Sequence, residues 1–180
     1  ATASAIRTFT RAIIQYGRSD LDEYMTFLYH LTTQMLSLYD PIRKYAALLL
    51  IRELIQIYPD FFSSRFLLLF SVIQDAIYDS PLLVQGEAYA TCASLSQVDS
   101  KQFLDSVADE LFEKTDELLL EFPKDIATSL CLLCKNIPNY MQDQLEDLKE
   151  FVSKITVEPN AAFILLTGII NSFGEKALPI

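Results

Sequence analysis

The chain has 180 residues, 51% of them apolar, with four glycines and a formal net charge of −10. That much apolar matter with so little glycine suits a packed domain and argues against disorder or a loop-rich scaffold. The charge argues against nucleic acid as a partner, because affinity there comes largely from Lys and Arg displacing counterions.

The first segment, "ATASAIRTFTRAIIQY", has no charged lead followed by an unbroken apolar stretch and a small-residue cleavage site. It is expected to be a helix from about residue 3 to 16, not a signal peptide. Prolines at 41, 59, 81, 123, 138 and 159 then punctuate long stretches with helical periodicity. They set off four helix pairs: 20–38 with 41–57, 61–77 with 81–97, 100–119 with 123–136, and 140–155 with 159–173. No segment alternates apolar and polar residues with a period of two, so the chain is expected to be all-α. Its longest apolar runs, "YAALLLI" and "FLLLF", fall short of the roughly 18 residues of a transmembrane helix, and no membrane span is expected.

In the first pair His30 stands alone, with no serine or cysteine nucleophile near it in sequence. In the third pair the acidic charge is concentrated. Residues 1 to 65 carry seven basic and six acidic side chains, net +1, whereas residues 66 to 180 carry seven and eighteen, net −11. Eight of those carboxylates lie between residues 105 and 125: Asp105, Asp109, Glu110, Glu113, Asp116, Glu117, Glu121 and Asp125. Such a face is either merely solvated or a docking surface for a basic partner. "CLLC", Cys131 and Cys134, has half the spacing of a zinc site, but the remaining candidate ligands, Cys92 and His30, are distant in sequence. Both thiols are expected to pack as small hydrophobes without metal. Three cysteines, an odd number, fit reduced thiols in the cytosol or nucleus better than a disulfide framework. There is no phosphate-binding glycine loop and no serine elbow, so the expectation is no enzyme, no catalytic residues and no cofactor.

The second helices of the first three pairs repeat one another. Ile42, Val84 and Ile126 are 42 residues apart, as are Ala46, Ala88 and Leu130, and Leu50, Cys92 and Cys134. Within each helix these are positions i, i+4 and i+8, an apolar stripe expected to be buried. Each helix begins near a proline, and Asp40 and Ser80 sit where a side chain can cap free amides. At Asp40, Pro41, Ile42, Arg43 and Ala46, and again at Asp79, Pro81, Val84 and Ala88, the chain resembles the HEAT-repeat (armadillo-like) family. Gln85 and Ala127 replace the family's arginine, and the last helix returns at a spacing nearer 36. Ile6 and Arg7 look like the second helix of a repeat whose first helix is missing. The resemblance implies an α-solenoid of antiparallel helix hairpins, one leading helix plus four pairs, across residues 1–180 as a single repeat domain within a longer solenoid. It also implies that Arg43 bonds to an acidic side chain of its own or a neighbouring repeat, with Asp40 and Asp79 available.

Opposite the stripe, the 41–57 helix carries Lys44, Leu48, Ile51 and Ile55, which leaves it apolar nearly all round. The equivalent positions in the next repeat include Ala90 and Ala93. Either neighbouring repeats bury these residues, or they form a concave groove for a partner's helix or extended peptide, with Lys44 and Arg52 at its rim. Two functions follow as expectations. One is a scaffold or adaptor segment that organises a multiprotein complex. The other resembles the karyopherins, a transport receptor cradling basic cargo on its acidic face.

Overall fold

A computed structural model describes residues 2–16 and 20–177, and among them every regular element is helical and no strand occurs. By its internal contacts the chain divides into two compact units, Ala1–Val98 and Asp99–Ile180.

The first unit contains α1 (Thr2–Tyr16), α2 (Leu21–Leu36), α3 (Pro41–Ile57), α4 (Phe66–Tyr78) and α5 (Leu82–Ser94). The start of α3 follows from its dipeptide. The Asp40 carboxylate accepts from the amides of Ile42 (2.9 Å) and Arg43 (3.4 Å), and Pro41 has no amide to leave unsatisfied. Arg43 turns back onto Asp40 at 3.3 Å in an exposed pair, whose geometry adds little stability. Ser80, the expected cap of α5, does not cap it; Pro81 precedes the helix and the Ser80 hydroxyl instead lies 3.4 Å from Lys44 Nζ. The side chains of Ile6 and Arg7 lie outside the described residues.

Helix α2 packs on α3 and α4 on α5, each pair joined by a short turn. Successive pairs then meet like with like, α2 against α4 and α3 against α5, and α1 covers a further part of α3. The second unit contains α6 (Ser100–Ser106), α7 (Ala108–Leu119), α8 (Pro123–Asn136), α9 (Pro138–Asp143), α10 (Leu145–Lys154) and α11 (Pro159–Phe173). Here α7 packs on α8 and α10 on α11, while α8 and α11 share the broadest helix contact in the unit. Gly174 ends α11 with φ +56°, a left-handed conformation that glycine adopts without a Cβ penalty.

The first helices of the pairs are less continuous than their periodicity predicts. Residues 59–65 form a 3₁₀ turn before α4, Val107 separates α6 from α7, and Gln144 separates α9 from α10. Helices α2, α3, α8 and α11 run unbroken, while α5 gives way at Leu95 to a 3₁₀ turn that ends at Gln97. The 3₁₀ turn and α4 also join short apolar runs into one stretch, Pro59–Tyr78. Its 20 residues and mean hydropathy of 1.2 are long and apolar enough to cross a membrane by length and composition, and 44% of it is buried within the protein.

Six of the nine stripe positions are buried: Val84, Ala88, Cys92, Ile126, Leu130 and Cys134. The three on α3 are not. Ile42 is 79% exposed, and Ala46 and Leu50 are only half-buried. Helix α3 instead turns Ala47, Leu48, Ile51, Leu54 and Ile55 inward, the face roughly opposite the stripe. A helix apolar on nearly every side has no preferred inward face of its own, so the neighbours covering it decide.

Candidate functional site

Of the seven residues expected to form a partner groove, five lie inside the protein, and Lys44 and Arg52 are part-exposed. Leu48, Ile51, Ile55 and Ala93 are fully buried and Ala90 nearly so, along the seam where α3 meets α5. The small side chains of α5 let the two backbones approach closely, and Thr91 Oγ1 donates across the seam to the Leu48 carbonyl at 3.2 Å. The two cations read as a rim are also used internally. Arg52 Nε sits 3.0 Å from Glu87 Oε1, whose side chain is only 8% exposed, and Lys44 reaches Ser80 on the other turn. Leu48, Ile51 and Ile55 are therefore core, not a docking surface. The sequence showed that something must cover them, and α5 does.

The thiols stand close to the α8–α11 seam. Cys131 donates to the Ile164 carbonyl at 3.1 Å, and α11 passes so near that a Cβ on Gly168 would lie 2.9 Å from Cys131 Cβ. Burial pushes the Cys131 thiol up, while a bond from the Gly168 amide opposes the shift. Burial and the neighbouring Cys131 push Cys134 up to about 12. Both stay protonated at neutral pH, the form that is neither a metal ligand nor a nucleophile. Cys92 is buried. His30 is exposed, its ring edge-on to Tyr29 at 5.7 Å. Among the described residues no three His, Cys, Asp or Glu side chains are grouped to hold a metal ion.

The acidic segment stays at the surface. Asp105, Asp109, Glu113, Asp116, Glu117, Glu121 and Asp125 are exposed, and Glu110 is partly so. Part of that charge is tied down within the unit. Tyr140 donates to Asp109 at 2.8 Å, Lys154 bonds Asp116 at 2.6 Å and also pairs with Glu150, and Lys114 pairs with Glu117. Phe112 packs beneath these contacts against Tyr140 and Phe151. Burial and the bond to Asp109 both hold the Tyr140 phenol above its ordinary value, so it remains a donor through neutral pH.

One surface feature was not anticipated. At the start of α2, Asp20, Glu23, Tyr24 and Phe27 line an open depression of about 280 Å³. The signal was in the chain, as spacing i, i+3, i+4 and i+7 places all four on one helix face. No family model, curated protein or solved structure matches the chain.

Proposed function

We propose that this chain is a non-enzymatic, HEAT-like α-solenoid segment that serves as a protein–protein interaction scaffold or adaptor within a multiprotein complex. The observation that supports it is the like-with-like packing of successive pairs, α2 with α4 and α3 with α5, together with the 42-residue spacing. A repeat unit of this kind cannot bury its apolar face alone and uses its neighbour to do so, which leaves the outer surfaces available for partners. The partner class is other proteins.

With the α3–α5 seam buried, the exposed carboxylates of residues 105–125 are the better docking surface, and they favour a basic partner. The same carboxylates support a second reading, a karyopherin-like segment that carries basic cargo. Reversing Glu113, Glu121 and Asp125 to lysine, which leaves the internal pairs of Asp109 and Asp116 intact, is expected to abolish retention of basic proteins from cell extract. Wild-type retention is expected to weaken as salt rises from about 0.1 M toward 1 M, because exposed charges are screened within a Debye length. Retention that survives both the reversal and the salt points away from the acidic face and sinks the cargo reading. A bait that retains no protein at physiological salt sinks the scaffold reading.

A further inference from the structure

The depression at the start of α2 combines three features. Its walls include two aromatic rings, Tyr24 and Phe27, with centroids 6.4 Å apart, and Phe27 is 60% exposed although it is fully apolar. Phe9 of α1, also largely exposed, stands edge-on to Tyr24 at 6.4 Å and extends the aromatic surface. Among the described residues, the rest of its lining is two carboxylates. Asp20 does not cap α2 with its side chain, and among the described residues neither Asp20 nor Glu23 takes an ion pair or a side-chain hydrogen bond.

The chemistry of a ligand follows by elimination. An anion would face two carboxylates. A neutral apolar group would gain the rings but take water from the carboxylates without replacing it. A cation satisfies both, through Coulomb attraction to Asp20 and Glu23 and through the negative faces of the rings. Size narrows the choice further. The depression, about 280 Å³ and open to solvent, lies at the small end of the range for small-molecule pockets and suits a head group carried on something larger.

We propose that Asp20, Glu23, Tyr24 and Phe27 form a binding site for an alkylammonium group, the head of a lysine side chain on a partner protein. Lysine fits better than arginine because a compact ammonium on a flexible stem enters a concave aromatic corner end-on, while a guanidinium needs a flat face. The site belongs to the first unit and the acidic segment to the second, and the site stands whether or not that segment carries cargo.

The test is a titration of the folded chain at low ionic strength, observing the ring protons of Tyr24 and Phe27 by NMR. The probes are a capped Gly-Lys-Gly peptide, the same peptide with norleucine for lysine, and methylammonium. The lysine peptide is expected to shift both rings saturably, and the norleucine peptide, its neutral counterpart, to leave them unmoved. Phe27→Ala, at an exposed position, is expected to weaken binding about three- to tenfold with unchanged circular dichroism. Glu23→Gln is expected to weaken it as well and to flatten its salt dependence. Equal binding of the norleucine peptide, or indifference to both substitutions, overturns the site as a cation receptor. Methylammonium binding as tightly as the lysine peptide overturns the assignment to a protein side chain.

Discussion

The α3–α5 seam of the first unit and the α7 surface of the second use polar residues in opposite ways. In the seam, Arg52 and Glu87 are paired away from water at 3.0 Å and Thr91 donates to a backbone carbonyl of the facing helix. On α7, the carboxylates stand in water and make contacts, such as Asp116 with Lys154, that solvent competes for. A buried charge is bound to its partner by the cost of losing it, whereas an exposed one is free to change partners. Charge alone therefore marks neither a core nor a binding site; burial separates the two.

The contrast can be broken most severely at Leu48 and Ile51. Replacing both with serine removes two fully buried side chains and inserts hydroxyls, at about 2–5 kcal/mol each. The sum rivals the total stability of an ordinary domain, so loss of the helical circular dichroism signal is expected. A variant that keeps its fold and its melting temperature would return these residues to the surface.

The buried pair gives a sharper comparison. Arg52→Met takes the cation from the buried Glu87 carboxylate and is expected to cost up to about 3–5 kcal/mol by urea denaturation, while Arg52→Met with Glu87→Leu recovers most of that loss. Lys154→Met, which breaks two exposed pairs on the other unit, serves as the control and is expected to leave the urea midpoint nearly unchanged, because solvent screens both pairs. Equal losses at Arg52 and Lys154 would erase the distinction between the two regions.

A moderate effect is expected at the α8–α11 seam. Gly168→Ala places a methyl 2.9 Å from Cys131 Cβ and 3.3 Å from its Cα, and overpacking of this kind costs about 1–3 kcal/mol. Adding Cys131→Gly to the same variant is expected to return part of that cost; a neutral Gly168→Ala would mean the helices can separate freely.

The smallest expected effect belongs to Tyr140. Tyr140→Phe removes the bond to Asp109 and is expected to cost about 0.5–1.5 kcal/mol. Its phenol is held above the ordinary value near 10, so the folded state keeps the proton longer than the unfolded chain does. The contribution is then complete below about pH 10 and is lost as pH rises through the higher folded value. Wild type is expected to lose stability relative to Tyr140→Phe at strongly alkaline pH, and a constant difference across that range would mean that the fold does not favour the protonated phenol.

Much of this architecture was legible in the chain. Pro41, Pro123 and Pro159 start their helices where the punctuation placed them, because a residue without an amide fits only the first turn. Asp40 caps as expected, a local contact between residues two and three apart. The stripe on α5 and α8 was legible because positions i, i+4 and i+8 share one helix face, although the 42-residue spacing did not carry it to α3. Ser80 was misread because a long-range contact to Lys44 competes for its hydroxyl. The aromatic and acidic face of α2 was present in the spacing, but spacing alone does not show that its rings stay exposed.

By itself, then, the sequence determined the all-helical class, the order of the pairs and the ends that proline and capping fix over a few residues, but not the breaks at Val107 and Gln144. Which face of α3 turns inward was decided only by the tertiary structure. Ile42, Ala46 and Leu50 are apolar, as are Leu48, Ile51 and Ile55, so apolar patterning alone marks both faces as candidates for burial. The contacts with α1, α2 and α5 bury one face and leave Ile42 in water, and those contacts come from residues tens of positions away.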